Sequence, residues 1–206
     1  IGGRNPVHLV DNGSKDPHVA SVIAGFERRG LFASVYRHPV NSPTIIQDLG
    51  HLLPPLISAN KFLVVLESDV VLPDGTPDWL TRMHAIMAAR AGLGILGSQV
   101  DRSDFPEVEA TIDRLGLERT PETMGLLKAL SPERQLCLGE DELADPHNPP
   151  GRLLMLRTEA LARTGLAPDR RLYEAMKAAG WQGAITGAVV HRHMSLLNVF
   201  DYPDYD

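Results

Sequence analysis

Short apolar runs alternate along this chain with stretches in which apolar residues recur every three or four positions. Val7-His8-Leu9-Val10 reads as a strand, stopped by the turn residues Asp11-Asn12-Gly13-Ser14. Asp16 then caps a helix at Pro17, which has no amide hydrogen to leave unbonded and suits a first helical position. Val19, Val22, Ile23 and Phe26 fall on one face of that helix, and Gly30 ends it. A strand over 32–36, a helical stretch containing Pro54-Pro55 and a strand over 61–67 follow. Beyond the loop 69–76, Thr76 caps a second clear helix with Pro77 in its first turn. Trp79, Met83, Ile86 and Met87 form its apolar face, Gly92 closes it, and residues 93–99 make another strand. This alternation predicts an α/β fold with a mostly parallel central sheet flanked by helices.

From 100 to 150 the pattern loosens into two short helices, near 106–115 and 121–130, and a polar, proline-rich stretch over 139–150. A segment this irregular inside a compact domain is functional or mobile. Regularity returns with a strand over 152–157, helices over 158–164 and 169–179, and a last strand over 184–190. No internal repeat or low-complexity tract interrupts this order.

Composition narrows the class. Of 206 residues, 43% are hydrophobic and 22% charged, as in an ordinary globular protein with a sizeable core. The formal net charge of −6 argues against nucleic acid or an anionic membrane as the main partner. A single cysteine, Cys137, cannot form an intramolecular disulfide, has no basic neighbour to activate it, and is expected to be structural. No apolar run approaches the ~18–20 residues that span a bilayer, and no signal peptide is expected from this sequence. The chain starts at Ile1 rather than Met, so we expect a piece of a longer polypeptide.

In an open parallel sheet, ligands sit outside the carboxyl ends of the strands. Three acidic segments fall at strand ends: Asp11, the triplet Glu67-Ser68-Asp69, and Asp101. If the extended conformation persists, alternation puts Glu67 and Asp69 on the same side. Two acids held close repel unless a cation or a proton sits between them, and a divalent ion bridging carboxylate and phosphate oxygens resolves the conflict. A bare E-x-D also occurs as a solvated strand end.

The order of segments adds to this. Val7 to Asp16, with its V-D-N-G-S-x-D turn, and Leu66-Glu67-Ser68-Asp69-Val70-Val71-Leu72-Pro73-Asp74-Gly75 resemble the two nucleotide-sugar segments of family 2 glycosyltransferases. Gly151-Arg152-Leu153-Leu154-Met155-Leu156-Arg157-Thr158-Glu159-Ala160-Leu161 resembles that family's apolar strand with R-x-E-A-L. Asp169 to Gly180-Trp181 is similar to its segment ending in A-G-W, and Val190-His191 to its histidine after the last strand. These matches keep family order over most of the chain.

The resemblance implies a GT-A fold, Rossmann-like, formed by residues 1–206 as one domain. Residues 1–99 would be the nucleotide-sugar-binding half and 100–206 the acceptor half, with 100–150 partly disordered without ligand. It implies that Asp11, with Asn12 and Ser14 in its turn, recognises the base of the nucleotide sugar. Asp69 would bind Mg²⁺ or Mn²⁺ on the diphosphate, Glu67 and Ser68 would position it or the ribose, and His191 would be a second metal or phosphate contact. Asp169 would deprotonate the acceptor hydroxyl, giving inversion without a covalent intermediate. The chemistry needs these groups: charge building on a nucleoside diphosphate leaving group needs a cation, and a hydroxyl is a weak nucleophile until it loses its proton.

Each assignment has a structural rival. Asp11 and Asn12 also stabilise turns unaided. Asp169 also fits as a helix N-cap. His191 and His193 alternate at a strand end, so one is expected to face the core and the other solvent. Arg37 and Asn41 lie either beside the nucleotide or on a solvated edge.

The sequence departs from the family's pattern in Glu67 for the first metal-motif acid, in Pro168-Asp169 where E-D is frequent, and in starting after the family's first strand and helix, which are expected either in an upstream portion or to be missing from an incomplete, poorly active site. The Q-x-x-R-W motif of processive synthases is absent, which favours a single-addition enzyme, and the ending 192–206 looks interrupted. The expected donor is a UDP-, GDP- or TDP-sugar, and the acceptor a hydroxyl of a glycan, lipid or small molecule in polysaccharide or glycoconjugate synthesis. The expected location is the cytoplasm, with membrane association only through segments outside this chain. The rivals are a catalytically inactive nucleotide-sugar-binding or structural module, and a nucleotidyltransferase, whose Gly-rich basic loop is not seen.

Overall fold

The computed structural model describes residues 5–42, 44–105, 107–129, 131–145 and 152–194, except the side chains at 47, 48, 52 and 169. The expectations for 146–150 and for the ending 195–206 lie outside the described residues. The chain divides into two compact units, residues 1–52 and 53–206.

The first unit is a β-α-β arrangement followed by short helical turns. Strand β1 (His8–Asp11) runs parallel to β2 (Ser34–Arg37), pairing His8 with Ser34 and Asp11 with Arg37 in a sheet of their own. Helix α1 (Pro17–Arg28) connects them and starts as the sequence predicts: Asp16 accepts from the His18 backbone N–H at 2.7 Å, with Pro17 at the first position. Only Ile23 of its expected apolar face is buried, while Val22 is exposed. Helix α2 (Ile45–Asp48) and a 3-10 turn (Leu49–Leu52) complete the unit.

The second unit opens with α3 (Leu53–Ala59), which takes Pro54 and Pro55 in its first turn, where missing amide hydrogens cost nothing. Its strands are β3 (Phe62–Leu66), β4 (Val70–Val71), β5 (Leu93–Val100), β6 (Leu143–Ala144), β7 (Leu153–Arg157) and β8 (Gln182–His193). They lie in the order β3-β7-β5-β8-β4, with β6 also on β8. Only β5 and β8 are parallel; β7 is antiparallel to both β3 and β5, and β4 and β6 are antiparallel to β8. The sheet is therefore mixed, which corrects the mostly parallel one expected. An apolar run records that both faces of a strand are covered, not which way the strand points.

Strand β7 shows that covering. Leu153 and Met155 join a core with Met83 and Met87 of α4 (Trp79–Ala89). Leu154 and Leu156 turn the other way, into a core with Leu161 of α7 (Thr158–Thr164) and Leu172, Tyr173 and Met176 of α8 (Asp169–Ala178). Helix α4 starts two residues later than expected. Asp78, not Thr76, caps it by accepting from the Thr81 N–H at 2.7 Å, and Pro77 lies in the turn before it. Both residues are cap-forming types, and the aspartate occupies the position from which its carboxylate reaches the third amide.

Residues 100–145 carry α5 (Val108–Leu115) and α6 (Pro121–Ala129), joined by a small core of Ile112 and Leu127. The chain then returns to the sheet. Leu138 N–H donates to Gln99 Oε1 at 2.7 Å, and Gly187 N–H donates to the Glu142 carbonyl at 3.2 Å. A Cβ on Gly187 would lie 2.2 Å from the Gly139 carbonyl oxygen, so this approach requires glycine. Among the described residues no helix is long and apolar enough to cross a membrane.

Candidate functional site

Strand β3 ends at Leu66, and Glu67-Ser68-Asp69 turn the chain into β4. The extended conformation therefore does not persist through the triplet; the turn, rather than strand alternation, brings its two acids together. Glu67 N–H donates to the Arg152 carbonyl at 3.0 Å, and Arg152 Nη1 lies 2.6 Å from Glu67 Oε2. On the other side, β4 pairs Val70 with His193 and Val71 with Arg192, and Met194 N–H donates to the Asp69 carbonyl at 2.7 Å. Strand register thus carries His193 against the triplet.

One ligand atom each from Glu67, Asp69 and His193 falls within 4.8 Å of the other two. His193 Nε2 stands 3.8 Å from Asp69 Oδ2. Asp69 Oδ1 is buried and has no hydrogen-bond partner among the described residues. A bare buried carboxylate oxygen is costly unless a cation meets it. Two oxygens and one imidazole nitrogen form a donor set suited to Mg²⁺ or Mn²⁺, with the nitrogen favouring the softer Mn²⁺. These residues fit a divalent ion.

The histidine in this group is His193, where His191 was expected. Both are buried, which corrects the expectation that one faces solvent: residues two apart in a strand share a side. His191 sits deeper, with Nδ1 2.7 Å from Ser98 Oγ, and its Nε2 has no hydrogen-bond partner among the described residues. Burial, reinforced by neighbouring His193, pushes the His191 pKa down to about 4, so its imidazole is neutral at pH 7.

The end of β8 is anchored from below. Asp104, whose side chain is 0% exposed, lies in a 3-10 turn (Arg102–Asp104) that Asp101 caps. Asp104 Oδ2 accepts the His193 backbone N–H at 2.7 Å, and Oδ1 accepts Arg192 Nε at 2.9 Å and Nη2 at 2.6 Å. Asp101 itself accepts the Ser103 N–H at 2.9 Å and hydroxyl at 2.8 Å, which hold its carboxyl below the usual range. It acts as a turn cap.

In the first unit, Asp11 Oδ1 accepts the Ser14 N–H at 3.1 Å, and hydrogen bonding to Ser14 lowers the Asp11 pKa against a smaller opposing effect of burial. Asn12 Nδ2 donates to Asn41 Oδ1 and to the Ser42 carbonyl, each at 2.9 Å, and Asn12 Oδ1 accepts the Ser42 N–H at 2.9 Å. Gly13 has φ +77, and a Cβ there would lie 2.4 Å from the Val40 carbonyl carbon. Asn12 and Asn41 therefore meet as a pair of tied loops, with Asp11 and Ser14 closing the adjoining turn. Arg37 pairs with Glu27.

Asp169 is the first residue of α8, after Pro168 at the N-cap, so the rival reading of it as the cap is corrected; its side chain lies outside the described residues. Ser68 is an exposed turn residue, and the Cys137 thiol is exposed. Sequence reasoning missed Asp104 and the contribution of Arg152, and it set His193 behind His191. The available signal for Arg152 was its position beside the second apolar strand run; for Asp104 there was none beyond its closeness to Asp101.

No protein-family model matches the sequence, and no curated protein matches it significantly. In structure, the chain is similar to GalNAc-T7 solved with UDP, GalNAc and Mn²⁺, with TM-score 0.54 and 12% identity over 91% of this chain. The match spans 37% of that protein's chain, little more than a third of its length. This chain is thus similar to that protein in fold alone, and its architecture is the α/β GT-A fold with a mixed central sheet.

Proposed function

We propose that this chain is a GT-A catalytic domain that transfers a sugar from a nucleoside diphosphate donor to a hydroxyl acceptor, with inversion and one addition at a time, as in family 2. The observation that carries the reading is the bare buried oxygen of Asp69 beside Glu67 and His193 at the rim of the sheet. Asp69, His193 and Glu67 would hold Mg²⁺ or Mn²⁺. When bound, the ion would act as a Lewis acid toward oxygens of the departing diphosphate. Asp11, Asn12, Ser14 and Asn41 are proposed to hold the nucleotide through their tied turn, and Ser68 to line the donor beside Glu67. His191 then acts as the neutral packing partner that sets the strand beneath His193. Asp169, in the first turn of α8, is proposed to take the proton of the acceptor hydroxyl, which a single positioned carboxylate does without a covalent intermediate. The division into a nucleotide-sugar half, 1–99, and an acceptor half, 100–206, belongs to this proposal.

A panel of UDP-, GDP- and TDP-sugars with Mn²⁺, assayed for nucleoside diphosphate release on the full-length protein, tests it. One donor is expected to turn over, with activity lost in Asp69→Ala. In Asp169→Asn, donor binding is retained while turnover falls about 10²–10⁴-fold, the usual worth of a general base. Donor binding without turnover would replace the enzyme by an inactive nucleotide-sugar-binding module, and no binding of any donor would refute both.

A further inference from the structure

Charge counting at the metal ligands exposes a shortfall, and the argument rests on the functional reading above. Glu67 and Asp69 carry two negative charges, and an imidazole that ligates a metal is neutral. A divalent ion is therefore cancelled by its own ligands. The set by itself offers no net positive charge to a diphosphate, whose negative charge grows as its bond to the sugar breaks. Another cation is needed within reach.

Arg152 is that cation. It is the cross-strand neighbour of Glu67, one residue beyond the Leu66–Leu153 pair that ends the β3–β7 ladder. Its backbone carbonyl accepts the Glu67 N–H, so its Cα is fixed by the sheet. Its guanidinium carries five donors, and among the described residues only Nη1 is engaged, with Glu67 Oε2 at 2.6 Å. The side chain is 45% exposed. A planar fork of N–H groups matches phosphate oxygens better than a point charge does.

We propose that Arg152 is the second cation of the donor site. It pairs with Glu67 when no ion is bound, then yields Glu67 to the ion and turns to the pyrophosphate oxygens of the nucleotide. An ordinary exposed ion pair contributes almost nothing measurable when removed. A shared carboxylate predicts something different: two affinities that move in opposite directions. Removing Arg152 frees Glu67 for the metal and removes a repelling charge, yet it deprives the diphosphate of its donor fork.

The experiment measures Mn²⁺ binding alone by electron paramagnetic resonance. It also measures UDP, GDP and TDP binding at saturating Mn²⁺ by calorimetry, on full-length wild type, Arg152→Gln, Arg152→Lys and Asp69→Ala. For Arg152→Gln we expect Mn²⁺ to bind about tenfold more tightly and the diphosphate about tenfold more weakly, with Arg152→Lys close to wild type for Mn²⁺ and intermediate for the diphosphate. Either affinity unchanged within about twofold in Arg152→Gln, or both moving the same way, overturns the assignment of Arg152. A wild type that binds no Mn²⁺ or no diphosphate, or an Asp69→Ala variant that still binds Mn²⁺ normally, overturns the functional reading instead.

Discussion

Replacing Asp104 separates the anchoring of β8 from the chemistry at its end. The carboxylate is fully buried and accepts three hydrogen bonds, one from the His193 backbone and two from Arg192. Arg192 is half exposed, so its guanidinium recovers water when the partner goes; the His193 amide is buried and does not. Asp104→Ala therefore loses a charge-assisted hydrogen bond and leaves a buried donor orphaned, at a cost of about 3 kcal/mol. Asp104→Asn keeps one oxygen. The amide turns it to His193, where no water is available, and presents its NH₂ toward Arg192, which swings out; the cost is about 1 kcal/mol. Both tryptophans, Trp79 and Trp181, lie in the unit 53–206, so tryptophan fluorescence in urea reports this unit alone. With a slope of roughly 2 kcal/mol per M, the alanine variant shifts the midpoint by about 1.5 M and the asparagine variant by about 0.5 M. Mn²⁺ affinity should fall in the same order, because His193 is carried by the anchored backbone. Equal midpoints for the two variants, or an alanine variant within about 0.5 M of wild type, would refute the reasoning.

Three further outcomes follow from the same geometry. Arg157, buried, donates to the carbonyls of Leu93 at 2.8 Å, Met87 at 2.7 Å and Arg90 at 2.9 Å, tying the end of α4 to β5 and β7. Arg157→Met should lower unit stability by about 2–4 kcal/mol in the fluorescence assay, and an unchanged midpoint would show those carbonyls to be satisfied otherwise. Asp101 has its folded pKa depressed by the Ser103 hydrogen bonds, so its stabilising contribution is full above the usual aspartate value and disappears as pH falls through the folded one. Asp101→Ala should be less stable than wild type at pH 7, with the gap narrowing as pH falls below the usual aspartate value; a gap that stays constant into acid contradicts the assignment. Gly187→Ala should expel the 138–142 loop from β8, read as faster amide exchange at residue 187, and unchanged protection there would show that the loop adapts.

What was legible in the sequence is what local chemistry decides. The Asp16-Pro17 helix start, the bounds of α7 at 158–164 and the apolar cores of β3, β5 and β7 all follow from residues within one turn or one strand of each other. The shift of the α4 cap from Thr76 to Asp78 is a local ambiguity, two capping residues flanking one proline. Strand direction was not legible, because β7 is buried on both faces and an all-apolar strand reads the same forwards and backwards. Arg157 and Asp104 were invisible for another reason. Their partners lie 64 to 70 and 88 to 89 residues away, so no spacing in the sequence connects them.

The metal-binding group joins both kinds of information. The E-x-D half is local, and a strand running into paired acids announces it. The histidine half is set by the β4–β8 register, which places His193 opposite Val70 and leaves His191 two residues further along the same side, over Ser98. A slip of two residues in that pairing would keep every side chain on its side of the sheet and exchange the two histidines. Hydrophobic patterning is blind to such a slip. What selects His193 is the buried Asp104 carboxylate accepting its backbone amide, together with the Met194 N–H bond to the Asp69 carbonyl. The choice of imidazole therefore rests on hydrogen bonds between β8 and two distant turns, and a variant that weakens either one should loosen His193 along with the stability of the unit.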